Sequence, residues 1–456
     1  MSALRVAVVG SGPAGFYAAA HLLAADAPVE VDLIERLPTP WGLVRLGVAP
    51  DHPNIKAVSR AFEKIARHER FRFLGNVEVG RDVSHDELAS LYDAVVYSVG
   101  AQTDRRMGIP GEDLPGSWPA TSFVAWYNGH PDFAELEFDL SCERAVVIGN
   151  GNVAVDVARM LALTAEELGA TDTADAAIEA IVGAGLREIL VLGRRGPAQA
   201  AFTTPELQEL GELAGADVLV DAADLALDAA SEAALAEGGA IGRRNVEVLN
   251  EYATREPGGK PRAVRLRFLA SPVAILGDDR VEAIEVVRNE LVADADGSIR
   301  AVATDEHETI PCGIVFRSVG YRGVPIAGVP FDERRGVIPN EGGRVVDEAG
   351  AVVPGLYCAG WIKRGPSGVI GTNKKDATET VDLLLEDVAA GRLVGGARSA
   401  AAVDELLAGR GVSVVTYAAW EAIDAVEKER GSAQGRPRVK LCRWDELLGA
   451  AGVRPG

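Results

Sequence analysis

Short runs of apolar, β-branched residues alternate along this chain with longer stretches whose apolar positions recur at helical spacing. The runs RVAVV, VEVDLI, DAVVYSVG, RAVVIG, EILVLG and CGIVFRSVG read as strands buried on both faces, as parallel sheets covered by crossover helices require. The expected class is α/β. Residues 159–185, RMLALTAEELGATDTADAAIEAIVGAG, read as Ala-rich helix broken at GATDTAD, a scaffold without chemistry of its own.

One pattern occurs twice. YDAVVYSVGAQTDRRMGIPG and GIVFRSVGYRGVPIAGVPF each lead an apolar strand into Ser-Val-Gly and then into a Gly/Pro-rich crossing. They read as the places where the chain leaves one domain and returns to it, with linkers near 107–115 and 323–330. A chain of 456 residues exceeds one ordinary core. The expectation is a discontinuous domain over 1–107 and 324–456, with a second domain, 108–323, inserted in it.

Each domain carries a glycine-rich turn between a strand and a helix. In VAVVGSGPAGFYAA, Gly10 permits the tight turn, Gly12 lets backbone approach a pyrophosphate, and Gly15 allows close helix packing. Glu35 ends the next strand twenty residues after Gly15, where a carboxylate accepts hydrogen bonds from a ribose. FAD and NAD both suit this unit. Near the C-terminus, GLYCAGWIKRGPSGVIGTNKKDA runs a strand through a glycine-dense loop into a helix, offering backbone N–H groups to a ribityl chain and pyrophosphate. An unliganded strand–helix turn is the alternative reading of that loop.

In the second turn, GNGNVAVDVA, alanine stands at the third glycine position, Ala154 after Gly149 and Gly151, a permitted variant that leans towards NADP. The following strand ends in Arg194-Arg195 where an NAD site would place a carboxylate, and two guanidiniums can fork onto a 2′-phosphate. Two Rossmann-like dinucleotide-binding domains are expected, one for a bound flavin and one for a mobile NADP.

Composition narrows the partners. Forty-six basic against 67 acidic side chains give a net charge of −21, which disfavours nucleic acid and anionic membrane. The four cysteines form neither a CxxC pair nor a metal-ligand spacing, so no metal is expected and a reducing, cytoplasmic setting fits best. Glycines 10, 12 and 15 with Pro13 interrupt the N-terminal apolar stretch where a signal core would be continuous.

Taken with PTPWGLVRLGVAPDHP at 38–53 and GWIKRGPSGVIGTNKKDA at 360–377, the two turns make the chain closely resemble the adrenodoxin reductase-like family of ferredoxin–NADP reductases, and within it the actinobacterial, mycobacterial-type NADPH–ferredoxin reductases. The resemblance spans essentially the whole chain. It implies FAD and NADP domains of the glutathione reductase type without a redox-active disulfide. It further implies a flavin site of Ala14, Glu35, Leu43, Val79, Arg105, Trp361 and the Gly368-Val369-Ile370 backbone. For NADP it implies Asn150, Gly151, Asn152, Val153, Arg194, Arg195, Glu206 and Gly368. His52, in APDHP, and Glu209, one helical turn after Glu206, match polar residues the family places at the flavin–nicotinamide contact, as the candidate catalytic pair. Their alternatives are a turn histidine and an exposed helix carboxylate.

A ferredoxin acceptor, itself acidic, requires local charge inversion on a chain at −21. Residues 241–267, with seven Lys/Arg against three Glu, offer a docking patch around Arg243 and Arg244, or else an ordinary solvated strand pair. The expected activity is electron transfer between NADPH and a ferredoxin. The alternatives are an NADPH dehydrogenase for a quinone or other small acceptor, a flavin-type oxygenase, and a non-catalytic nucleotide-binding flavoprotein.

Overall fold

The computed structural model describes residues 3–237, 239–294, 298–368, 370–393 and 398–453. The chain divides into two compact units, Met1–Thr103 with Asn128–Ala134 and Gly320–Gly456, and Asp104–Tyr127 with Glu135–Val319. The crossings thus fall four residues before the 107/108 and 323/324 boundaries expected from the linkers, the first three residues past Ser98-Val99-Gly100 and the second within Ser318-Val319-Gly320. A short excursion, Asn128–Ala134, also belongs to the first unit. It is tied there by Asp132, which accepts from Arg36 at 2.6 Å and from the Trp444 indole at 2.8 Å.

The first unit begins with strands β1 (Leu4–Val9), β2 (Val29–Glu35), β3 (Phe71–Gly75) and β4 (Ala94–Tyr97), and β5 (Thr103–Asp104) marks the first crossing. The second unit carries β6 (Ser117–Pro119), β7 (Arg144–Ile148), β8 (Glu188–Leu192), β9 (Ala216–Val220), β10 (Arg262–Arg267), β11 (Ala270–Leu276), β12 (Ala283–Ala293), β13 (Ile299–Pro311) and β14 (Ile314–Arg317). After the return at β15 (Tyr321–Arg322), β16 (Asn340–Glu341), β17 (Arg344–Val346) and β18 (Val352–Cys358) complete the first unit.

The first sheet has the order β16-β17-β18-β4-β1-β2-β3, parallel from β18 to β3 with an antiparallel edge at β17 and β16. Its strands are covered on both sides. Val6 and Val8 of β1 join one apolar cluster with Phe16, Leu22 and Leu384, whereas Ala7 and Val9 join another with Ile34, Leu88 and Ile362. A two-residue period with both faces apolar erases hydrophobic alternation, and that is why these runs read as continuous.

The second sheet, β6-β14-β7-β8-β10-β9, is parallel throughout. One of its faces is covered by an antiparallel sheet, β11-β12-β13, which sequence reading did not anticipate. Val146, Ile148, Leu190 and Leu192 pack there against Ala270, Ile275, Ile284 and Val286. The 159–185 stretch is helical to Ala162, then forms helices Ala165–Gly169 and Asp175–Val182 with a break at 170–174. Residues 241–267 correct the alternative of a strand pair: Ala240–Thr254 is a helix and only β10 is a strand.

Candidate functional site

Both glycine turns sit at the position where strand order reverses, the crevice that open α/β sheets use for ligands. In the first unit this is between β1 and β4. Gly10 has φ +102°, its N–H donates to the Ile34 carbonyl at 2.8 Å, and a Cβ on it would lie 2.7 Å from the Ser98 carbonyl oxygen. In the second unit it is between β7 and β14. Gly149 has φ +130°, its N–H donates to the Leu192 carbonyl at 2.8 Å, and its Cβ would lie 2.2 Å from the Ser318 carbonyl oxygen. Ser98 and Ser318 donate their own N–H groups to Val9 and Ile148, each at 2.7 Å. The repeated Ser-Val-Gly segments, which lead into the expected linkers, are therefore also the walls against which the first glycine of each turn is closed.

The turns differ at their third position. A Cβ at Gly15 would stand 2.0 Å from the Gly10 carbonyl oxygen and 2.8 Å from Ser98 Oγ, so only glycine fits. Ala154 is fully buried in the corresponding place, the helix Asn152–Ala162 leaving room for one methyl. Gly12 and Gly151 cap the two helices, and a Cβ on either meets nothing within 4 Å. That open space before a helix N-terminus fits a diphosphate, because unbonded N–H groups and the helix dipole favour an anion there.

Around the first turn, Glu35 Oε2 accepts from Ser11 N at 2.9 Å and Ser11 Oγ at 2.6 Å, while its Oε1 accepts from Leu37 N at 3.0 Å. Its carboxylate is thus fixed at the end of β2 beside the turn. Trp41 (φ +85°) and Gly42 (φ +49°) bring the next segment onto it: Trp41 N donates to the Ser11 carbonyl at 3.2 Å, and a Gly42 Cβ would be 2.8 Å from Gly12 Cα. Leu43 follows, partly exposed, and Arg45 is held under it by a buried pair with Glu427. Gly360 closes another side, its ideal Cβ 2.6 Å from the Ala14 methyl. Trp361 lies tilted against Tyr321 with ring centroids 5.4 Å apart, and its indole Nε1 is buried without a hydrogen-bond partner, a free donor such as a flavin ring could use.

Gly368 has φ +81°, Ile370 accepts from Asn373 N at 3.1 Å, and the helix Thr372–Ala389 that follows packs along Pro13–Leu23. Val369 lies outside the described residues. Val79 lies two residues beyond Val77, whose N–H donates to the Glu35 carbonyl at 2.9 Å. Arg105 belongs to the second unit, exposed and without a hydrogen bond among the described residues. His52 is buried in the first unit at the start of the turn Pro53–Lys56. Sequence reasoning did not single out Ser11, Trp41, Gly42 or Gly360 as site residues; Trp41 and Gly42 lie in the 38–53 stretch and Gly360 in the 360–377 stretch, but their contacts with the turn are what give them a place in the site.

In the second unit the Asn150 carbonyl accepts from Ala201 N and Phe202 N, and Asn152 Oδ1 accepts from Thr203 N at 2.8 Å. Asn150 Nδ2 is buried and unpartnered. Val153 continues the first helical turn. Glu206 and Glu209, on the helix Thr204–Leu210, share one cation: Arg159 NH1 lies 3.1 Å from Glu206 Oε2 and 3.5 Å from Glu209 Oε2, and NH2 pairs with Asp156 at 2.8 Å. Arg194 and Arg195 follow β8. Among the described residues neither guanidinium makes an ion pair or a hydrogen bond, and burial together with the neighbouring Arg194 charge lowers the Arg195 pKa. Two adjacent, unneutralised cations fit a phosphate dianion.

The docking segment is less cationic than its composition. Arg244 pairs with Glu247 at 2.9 Å, Arg265 with Glu188 at 2.7 Å and Arg267 with Glu308 at 2.5 Å. Arg262 donates to the Leu161 and Ile181 carbonyls, Lys260 to that of Leu213, and Arg243 to that of Leu235. No helix among the described residues is long and apolar enough to cross a membrane.

Residues 4–190 match the family model of the pyridine nucleotide-disulphide oxidoreductases. The chain is 52% identical to the NADPH-ferredoxin reductase FprA of Mycobacterium tuberculosis, over 97% of this chain and 98% of that one. It is 46% identical to the mitochondrial NADPH:adrenodoxin oxidoreductase of Bos taurus, over 97% and 91%. The solved structure of Mycobacterium tuberculosis FprA in complex with NADPH superposes with a TM-score of 0.93 at 51% identity, covering 98% of this chain and 99% of that one. With two separate dinucleotide turns, an arginine pair after the second, and such relatives along its whole described length, the chain belongs to the NADPH-ferredoxin reductase family, together with the adrenodoxin oxidoreductases.

Proposed function

We propose that this protein is a ferredoxin–NADP reductase, an FAD-dependent oxidoreductase that moves electrons between NADPH and a ferredoxin-type iron–sulfur protein. The observation that carries it is the pair of turns, each at the reversal point of its own sheet, one closed by Gly15 beside a fixed ribose carboxylate and the other followed by two unpaired arginines. Bound FAD supplies the exchange between two-electron and one-electron chemistry. The chain supplies binding and placement. Gly10, Gly12 and Gly15 admit the flavin diphosphate, Glu35 takes the ribose hydroxyls, and Trp361 Nε1 offers a donor. Arg194 and Arg195 select the 2′-phosphate, and Asn150 to Val153 receive the NADP diphosphate. Hydride transfer requires no protein acid or base, so His52 and Glu209 act by positioning. A cytoplasmic setting is supported by four free, dispersed cysteines.

Docking of the acidic carrier is proposed at Arg243 and Arg244, exposed on the helix Ala240–Thr254 beside Ile241, which is 64% exposed. The engagement of cations in 241–267, Arg244 with Glu247 and Arg243 with the Leu235 carbonyl among them, favours a second reading, reduction of a small acceptor such as a quinone. Visible spectra of the purified protein decide the first point: a flavin spectrum bleached rapidly by NADPH and slowly by NADH is expected, and a colourless protein would sink the proposal. Reduction of a ferredoxin that saturates and weakens with salt separates the two acceptors.

A further inference from the structure

We infer that Asn289 is a positioning residue for cofactor discrimination, holding the turn that carries Arg194 and Arg195. The inference rests on the reading of those arginines as the 2′-phosphate site. Three consecutive carbonyls of that turn are bonded. Gly193 O accepts from Ala270 N at 3.0 Å, Arg194 O from Asn289 Nδ2 at 2.7 Å, and Arg195 O from Leu269 N at 3.2 Å. Two of the donors are main-chain groups, but the middle one is a side chain, so the turn depends on this residue type at its centre.

Asn289 is 2% exposed and makes further bonds of its own. Its Nδ2 also donates to Ser271 Oγ at 2.8 Å, and its N–H donates to the Leu269 carbonyl at 2.7 Å. It follows an irregularity in β12 between Val287 and Asn289, the kind of bulge that re-aims a side chain out of the regular ladder. Leu269, which bonds both to Asn289 and to the arginine turn, has φ +55°, a strained conformation for a leucine that its neighbours must hold in place.

Two like charges on adjacent residues repel, and an unrestrained turn would separate them. A cleft of about 400 Å³ borders the turn through Gly196, Pro197, Leu269 and Leu291, so packing alone does not stop it moving. Pinning the Arg194 carbonyl removes that freedom before ligand arrives. The ordering cost of a two-pronged phosphate contact is then met on folding instead of on binding.

The test measures binding by titration calorimetry of the flavin-loaded protein, with 2′,5′-ADP and 5′-AMP as probes. Asn289→Leu keeps the branched shape at Cγ and removes the donors. Its affinity for 2′,5′-ADP should fall about three- to tenfold, the worth of one hydrogen bond, with 5′-AMP changed less than about twofold. Ser271→Ala, a milder change that frees the amide to rotate, should shift 2′,5′-ADP the same way by about twofold, and it decides the matter if Asn289→Leu does not fold. Equal weakening of both nucleotides would mean a merely structural role, and no weakening of 2′,5′-ADP would equally overturn the inference. The double variant Arg194→Ala, Arg195→Ala is run alongside. If it too binds 2′,5′-ADP normally, the arginine reading itself has failed, whereas a loss there with none at Asn289 refutes the positioning role alone.

Discussion

Arg194 and Arg195, which follow β8, are proposed to distinguish the two nicotinamide cofactors by their charge, and among the described residues neither is neutralised by an ion pair. Each charge-assisted contact to a phosphate is worth about 1.5–3 kcal/mol, reduced here because Arg194 is exposed. Replacing both by alanine should therefore raise the KM for NADPH at least about tenfold while leaving that for NADH nearly unchanged. Retained preference in steady-state kinetics would place the 2′-phosphate elsewhere. The glycines give a sharper contrast. Gly12 has φ −72° and open space around its missing Cβ, so Gly12→Ala should fold with unchanged or slightly raised stability, by up to about 1 kcal/mol, yet lose flavin. Gly15→Ala drives a methyl to 2.0 Å from the Gly10 carbonyl and should cost about 1–3 kcal/mol of stability. Thermal unfolding of the flavin-free proteins and the flavin absorbance of the purified ones separate these effects; full flavin content in Gly12→Ala would contradict the diphosphate cradle.

Among elements, the excursion Asn128–Ala134 carries a group, His130, whose titration bears on stability. Its His130 receives the Asp132 N–H on Nδ1 at 3.2 Å and lies edge-on to Phe133 at 5.0 Å. Burial, aided by the Arg36 charge and opposed by Asp132, holds its pKa at about 4, below its ordinary 6.5. As pH falls below 6.5 the unfolded chain takes up a proton that the folded chain refuses, so protonation favours unfolding. Stability is full above pH 6.5, declines down to about 4 and levels off there, with a loss of about 2 kcal/mol at pH 5. His130→Gln should flatten this part of the profile in urea unfolding at pH 7 and pH 5. An unaltered slope would show that His130 is not the titrating group. The excursion also marks the limit of reading elements locally: its attachment to the first unit runs through Arg36, Lys440 and Trp444, far away in sequence.

For the whole molecule, a net charge of −21 makes approach of an acidic carrier unfavourable except at a local cationic surface. Such attraction acts mainly on association and is screened over about 10 Å at 0.1 M salt. Reversing Arg243 and Arg244 to Glu should raise the KM for ferredoxin at low salt several-fold and flatten its salt dependence. Reduction of ferricyanide, which needs no docking surface, should stay the same. An unchanged ferredoxin KM at low salt would move the docking site away from this helix.

The sequence by itself determined the class of fold, the two dinucleotide turns and the arginine pair, because each is written in residues close together in the chain. A strand buried on both faces must be continuously apolar, a turn whose Cβ would strike a neighbouring carbonyl must be glycine, and two arginines where an NAD site places a carboxylate suit a 2′-phosphate. Tertiary structure alone decided the rest. It closed Gly10 against Ser98 and Gly149 against Ser318 across parallel strands, and laid Trp41 and Gly42 over Gly12. It also covered the second sheet with β11–β13 and placed Asn289 under the Arg194 carbonyl. The same packing consumed part of the charge that made 241–267 look like an open basic patch, pairing Arg265 with Glu188 and Arg267 with Glu308. A count of charges along a segment records which are present; only the partners that folding brings from elsewhere fix how many remain free.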